Sequence, residues 1–137
     1  TASAVLSAGG LRQQFSAAEN TQMSMYGAEF LQAPEILQVQ DVVPDFQFHQ
    51  HGYLFLAGVD KVPVMRRNHE TQKSCGVSWM ELMEVKRLKK KFPWLNTDSI
   101  AMGSFGHKNE GYFDPWSLLT ALKAKSISQG VDYIDGE

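Results

Sequence analysis

Segments of helical period alternate along this chain with short apolar, β-prone stretches, and the sharpest punctuation among them is Asp114-Pro115. An Asp at the N-cap followed by a Pro at the first helical position accounts for two of the orphan donors at a helix start. The helix opened there is expected to run to about Gln129, bury Leu118, Leu119, Ala121 and Leu122, and stop at Gly130. Further upstream, Phe46 to Ala57 and Ser99 to Gly106 have the aromatic or alternating apolar content of strands. Gly52 breaks the first of them into a bulged strand or a pair of strands. A chain with this alternation has to be mixed, either α+β or a piece of a larger α/β enzyme.

The remaining elements follow from caps and periods. Residues 1–15 carry neither period and read as a loop. Ser16 and Glu19 have capping-box spacing, opening a helix whose apolar face is Met23, Tyr26, Gly27, Phe30 and Leu31. The segment Glu35 to Val43, between Pro34 and Pro44, receives no assignment. Lys61 to Ser74 reads as a helix ended by a C′ glycine, Gly76. Ser78 then caps a further helix, Met80 to Lys91, with Leu82, Val85 and Leu88 buried and Pro93 as its terminator. Val131 to Ile134 reads as a closing strand, which would need a partner strand, so the chain is expected to be an internal piece of a longer polypeptide. The full order is loop–α–β–α–α–β–α–β.

Charge and composition narrow the functions. The 137 residues carry 13 Lys and Arg against 15 Asp and Glu, a net charge of −2 that does not suit nucleic-acid binding by the chain as a whole. No apolar run reaches the roughly 18 residues of a transmembrane segment. The single cysteine, Cys75, excludes an internal disulfide and a multi-cysteine zinc site, and without an identifiable partner it reads as an inert thiol. Lys86-Arg87-Leu88-Lys89-Lys90-Lys91 is read as a solvated helix face whose positive charge complements the helix C-terminus. His49 and His51 share one strand face, but no third ligand stands at a metal-binding spacing, so no metal is expected. His107 and Glu110 flank a turn and are open to two readings, an acid–base pair or plain turn polarity.

The stretch with the most chemical content is Gly9-Gly10-Leu11-Arg12-Gln13-Gln14-Phe15. Two glycines let backbone approach a planar or charged ligand closely, and Arg12 offers a bidentate fork to a carboxylate. A surface loop with an exposed arginine accounts for the same residues.

Read as a whole, Gly9 to Ser16 with Glu19-Asn20, His51-Gly52-Tyr53-Leu54-Phe55-Leu56-Ala57 and Gly111-Tyr112-Phe113-Asp114-Pro115 resemble, in order, segments of FAD-dependent oxidoreductases of the D-amino-acid oxidase and sarcosine oxidase type. Lys91 to Thr97 and Glu110 to Trp116 bring the likeness nearest to mitochondrial members linked to respiratory complex I assembly. The resemblance implies an internal portion of a two-domain α/β oxidoreductase. Residues 1–15 would be its flavin-proximal loop, 16–110 part of the substrate domain, and 111–137 a helix and strand returning to the FAD domain.

It further implies FAD as cofactor of the full-length protein. Ser3 to Ala8 would run along the pyrophosphate and ribityl chain, Gly9 and Gly10 would lie beside the isoalloxazine ring, and Arg12 would hold the substrate carboxylate. Tyr53 and Leu54 would belong to the substrate-domain sheet, while Asp114 and Pro115 would be structural. The strand–G-x-G-x-x-G–helix unit of the family is not in these residues, and nothing matches a cysteine that attaches flavin covalently. The chain alone is therefore not expected to assemble a flavin site. The implied activity is oxidation of the C–N bond of a small amino acid or secondary amine. The alternative is a mitochondrial complex I assembly factor that uses the flavin fold as a scaffold and meets respiratory-chain assembly intermediates.

Overall fold

A computed structural model of the chain describes residues 3–134; Thr1 and Ala2 of the expected loop, and 135–137 of the expected terminal segment, lie outside the described residues. Four α-helices are present among them: α1 (Ala18–Leu31), α2 (Val62–Ser74), α3 (Val85–Lys91) and α4 (Pro115–Ser128). The strands are β1 (Gly10–Leu11), β2 (Tyr53–Ala57), β3 (Met80–Glu84), β4 (Met102–Gly106) and β5 (Gly111–Tyr112). A three-stranded antiparallel sheet has the order β2-β4-β3, and β1 pairs with β5 in a second, two-stranded sheet. Every strand pair is antiparallel, so of the two classes left open by the sequence this one is α+β.

Strand β4 is central, and its small residues explain why. Gly103, Ser104 and Gly106 are buried, and the register sets Gly106 opposite both Tyr53 and Met80. A Cβ at Gly103 would lie 2.7 Å from Leu88 Cδ2, so α3 packs onto that face only because the side chain is missing. Tyr53, Phe55, Ser104, Met80 and Leu82 share the other face with Gly106, since side chains alternate along a strand. A second cluster joins Leu31, Leu37, Phe46 and Ala121, with Leu11, Phe30, Phe48, Phe113 and Leu118 packed about it.

Several expectations hold in their local detail. Asp114 caps α4, its carboxylate accepting from Trp116 N at 2.9 Å and Ser117 Oγ at 2.6 Å. Gly76 ends α2 at φ +93, with its N–H donating to Lys73 O and that of Val77 to Gln72 O, the paired bonds of a Schellman motif. Gly130, at φ +90, follows the last turn of α4.

Others are corrected by tertiary contacts. Met80–Glu84 is a strand and only Val85–Lys91 is helical, so Ser78 caps nothing. Met, Glu and Leu favour helix, but five residues here pair one for one with the free edge of β4, and the ladder outweighs the propensity. Helix α1 starts after Ala17 with no side-chain cap, so the Ser16–Glu19 capping box does not form. Its docking face carries Thr21, Ala28 and Leu31, while Met23 and Tyr26 are 64% and 67% exposed. The reason is polar: this helix turns toward residues 12–13, where Ser24 Oγ donates to Arg12 O and Thr21 Oγ1 to Gln13 O.

Only Ala121 of the expected α4 stripe is buried, with Leu119 and Leu122 exposed. Val131 to Ile134 forms no strand. Within Phe46 to Ala57 only Tyr53–Ala57 is a strand, with His49 in an isolated bridge to Tyr112. The expected loop at 1–15 contains a 3-10 turn, Ser3–Leu6, and β1. The unassigned segment after Pro34 opens with a 3-10 turn, Pro34–Leu37. Among the described residues, no helix is long and apolar enough to cross a membrane.

Candidate functional site

The residues between β1 and α1 form a short loop, Arg12 to Phe15, held by hydrogen bonds to distant parts of the chain. Gln13 is fully buried and is its hub. Its backbone N–H donates to Glu110 Oε1 at 2.6 Å, its Nε2 donates to Asn109 O at 2.9 Å, and its Oε1 accepts from Trp79 Nε1 at 3.2 Å. Gln14 Nε2 donates both to Tyr53 O at 2.9 Å and to Glu110 Oε2 at 3.0 Å. Gln72, on α2, donates through Nε2 to Phe15 O at 3.1 Å. Four segments of the chain therefore fix where residue 12 sits.

Arg12 is held in an aromatic surround. Its guanidinium carbon lies 4.7 Å from the ring centroid of Phe15, 5.3 Å from that of Phe55 and 5.7 Å from that of Tyr53. Such contacts stabilise a cation without neutralising it. The Nε is buried with no hydrogen-bond partner, and no acceptor among the described residues takes a bond from the guanidinium. The planar fork of such a half-buried cation has the geometry to hold a carboxylate.

Behind the loop sits Glu110, with no exposed surface. Its carboxylate occupies the space over Gly106, where an added Cβ would lie 2.0 Å from Oε2. Burial pushes its pKa up to about 7, against the opposing pull of the bonds from Gln13 and Gln14 and the charge of Arg12. Next to Gln14 a cleft of about 190 Å³ opens between α2 and the sheet, with Phe55, Met65, Gln72 and Ser104 in its wall.

The expected site residues are only partly drawn together. Gly9 is buried, at φ +63, and its O accepts from Phe113 N at 3.0 Å. A Cβ there would collide with Phe113 O, so packing against the residue after β5 by itself demands glycine at this position. Gly10 is exposed, and a Cβ there would meet only Tyr53 Cε2, at 3.8 Å. Ser3 and Ala8 are exposed, Ser3 in the 3-10 turn and Ala8 in the stretch after it.

Of the turn pair, Glu110 is buried in the loop's support while His107 is exposed, so the two have different surroundings. His49 and His51 stack on each other and on Tyr112, with centroids 5.0 to 5.8 Å apart. No group of three metal-ligating side chains occurs among the described residues. The basic residues of α3 are exposed; Arg87 pairs with Glu81, and Lys91 lies over the Phe105 ring. Cys75 Sγ faces Ala18 O at 3.8 Å. Sequence reasoning assigned no role to Gln13, Gln14, Gln72 or Trp79, and no local pattern marks a buried glutamine.

The chain belongs to the FAD dependent oxidoreductase family (DAO), which it matches over residues 2–137. It is 48% identical over 138 residues to FAD-dependent oxidoreductase domain-containing protein 1 of Xenopus laevis, covering 99% of this chain and 28% of the relative. It is 39% identical over 132 residues to the Drosophila melanogaster homolog, covering 96% of this chain and 25% of the relative. The crystal structure of L-proline dehydrogenase from P. horikoshii superposes with a TM-score of 0.74 at 27% identity, covering 93% of this chain and 32% of that one. The chain thus spans little more than a quarter of the length of these curated relatives.

Membership of the family makes FAD the cofactor of the full-length protein. The residues present fit its ring end: Gly10 leaves an open backbone edge beside the Tyr53 ring, and Arg12 stands two residues on. They include no G-x-G-x-x-G turn to hold a pyrophosphate.

Proposed function

We propose that the longer protein to which this chain corresponds oxidises the C–N bond of a small amino acid or secondary amine. The observation that carries this reading is Arg12, a cation among three aromatic rings with a buried Nε that has no partner. It binds the substrate carboxylate through its guanidinium, and the rings keep water from competing for it. Gln13 and Gln14 fix the backbone on its C-terminal side, so the substrate is oriented by a preorganised group. FAD, when bound, supplies the two-electron acceptor for the oxidation. The exposed Gly10, with Ser3 and Ala8, gives its backbone to the cofactor side of the site.

The test is anaerobic flavin reduction in the longer protein, followed by absorbance with a panel of amino acids and secondary amines. Reduction by at least one of them, lost in Arg12→Ala with flavin content unchanged, is expected. Reduction that is indifferent to Arg12 removes the carboxylate role, and no reduction by any amine removes the enzyme reading.

A second reading has its own observation. The likeness of Lys91 to Thr97 and Glu110 to Trp116 to mitochondrial members of the family linked to complex I assembly supports it. In this reading the protein is mitochondrial, and the flavin fold serves as a scaffold for assembly intermediates of respiratory complex I. Complex I assembly that is restored in cells lacking the protein equally by wild type and by Arg12→Ala favours the scaffold. Restoration by wild type alone favours the enzyme.

A further inference from the structure

We infer that Glu110 is the positioning residue for Arg12, and that capture of a carboxylate by Arg12 is coupled to proton uptake by Glu110. This rests on the reading of Arg12 as a carboxylate receptor.

Glu110 has no exposed surface, so it touches no ligand and acts through the loop. Its two oxygens take the N–H of Gln13 and the amide of Gln14, the two residues that follow Arg12. From the opposite side Ser24 Oγ donates to Arg12 O, so the backbone of residue 12 is clamped between α1 and Glu110. Gly106 exists in the register of β4 to leave room for the carboxylate. A fully buried carboxylate over a glycine, bonded only to the loop that presents an arginine, has no other visible task.

The groups that face Glu110 are few. From the loop come Arg12, Gln13 and Gln14; from the residue before β2, the backbone N–H of Gly52; from β4, Gly106. Trp79 reaches it through Gln13. Among the described residues Arg12 is the one charged group acting on it, while His107 and Lys108 on the same turn are exposed. Burial opposes ionised Glu110, and the bonds from Gln13 and Gln14 and, among the described residues, the single charge of Arg12 favour it. A carboxylate bound at Arg12 cancels part of that support and adds a like charge nearby. Glu110 responds by taking a proton from solvent, –COO⁻ plus H⁺ giving –COOH. Carboxylate affinity accordingly weakens as pH rises through about 7, where free Glu110 titrates.

The probe is benzoate, an aromatic carboxylate matched to the rings around Arg12. Calorimetric titration of the longer protein in phosphate and in Tris separates proton uptake from binding. Expected are binding weakened at least tenfold by Arg12→Ala, net uptake of a fraction of a proton at pH 7.5, and an affinity loss on the order of three- to tenfold between pH 6.5 and 8.5. Glu110→Gln, which keeps shape and removes the titration, is expected to bind with no uptake and no pH dependence. Equal uptake in wild type and Glu110→Gln overturns the role of Glu110. Should that variant not fold, the wild-type profile decides, because uptake has to vanish below about pH 5, where Glu110 is already protonated. Binding without uptake at pH 7.5 overturns the coupling and leaves Arg12 as the receptor. No binding, or binding indifferent to Arg12→Ala, overturns the receptor reading and the coupling with it.

Discussion

Glu110 and Gln13, 97 residues apart in sequence, meet through a 2.6 Å hydrogen bond from the backbone N–H of Gln13 to the buried carboxylate. That contact ties the turn before β5 to the loop after β1, and it sets the position of the arginine between them.

The titration of Glu110 makes stability depend on pH in a stated direction. Its pKa is raised from an ordinary 4.5 to about 7 in the folded chain. The fold therefore binds the proton more tightly than the unfolded chain does. The contribution is complete below about pH 4.5 and is lost as pH rises to about 7, on the order of 3 kcal/mol in total. Urea unfolding between pH 5 and 8 should show this loss in wild type and a flatter profile in Glu110→Gln. Parallel profiles would contradict it.

Gly106→Ala and Gly103→Ala separate packing from the site. Both new methyl groups collide with buried side chains, the carboxylate of Glu110 at 2.0 Å and Leu88 Cδ2 at 2.7 Å. Each is expected to cost about 1–3 kcal/mol, the usual range for overpacking. Only Gly106→Ala displaces Glu110, so only that variant should also lose the pH-dependent part of the unfolding curve. Retention of that part in Gly106→Ala would show that the carboxylate finds another place.

Leu88→Ala tests how α3 is held to the sheet. Leu88 is fully buried against Gly103 while Lys86, Arg87, Lys89, Lys90 and Lys91 around it are exposed. Removing its side chain leaves a cavity that the glycine cannot fill, and a loss of about 2–5 kcal/mol in chemical denaturation is expected. Substituting Lys89 by Gln should change stability by less than about 0.5 kcal/mol.

Asp114→Asn keeps a capping oxygen and Asp114→Ala removes it. Ser117 Oγ and the N–H of Trp116 hold the carboxyl of Asp114 below the usual carboxylate range. Its contribution is present above the unfolded carboxylate pKa and disappears as pH falls through the lowered folded value. The melting temperature at pH 7 should drop in the Ala variant and much less in the Asn variant. Equal drops would mean that charge, not the cap bond, carries the effect.

Local chemistry was legible in the sequence wherever the controlling atoms lie within a few residues. Asp114-Pro115 and Gly130 bound α4, and Gly76 ends α2, because capping bonds and positive φ are short-range. Arg12 could be singled out from its own chemistry beside Gly9-Gly10. Tertiary structure decided the rest. Met80–Glu84 became a strand because β4 had an edge to fill, and α1 turned Thr21 and Ser24 rather than Met23 and Tyr26 inward because Gln13 and Arg12 offered carbonyl oxygens there. Whether Glu110 is turn polarity or a buried group depends on Gly106, Gln13 and Gln14 converging from other segments. The cost of burying a carboxylate and the bonds that offset it exist only once those segments have met.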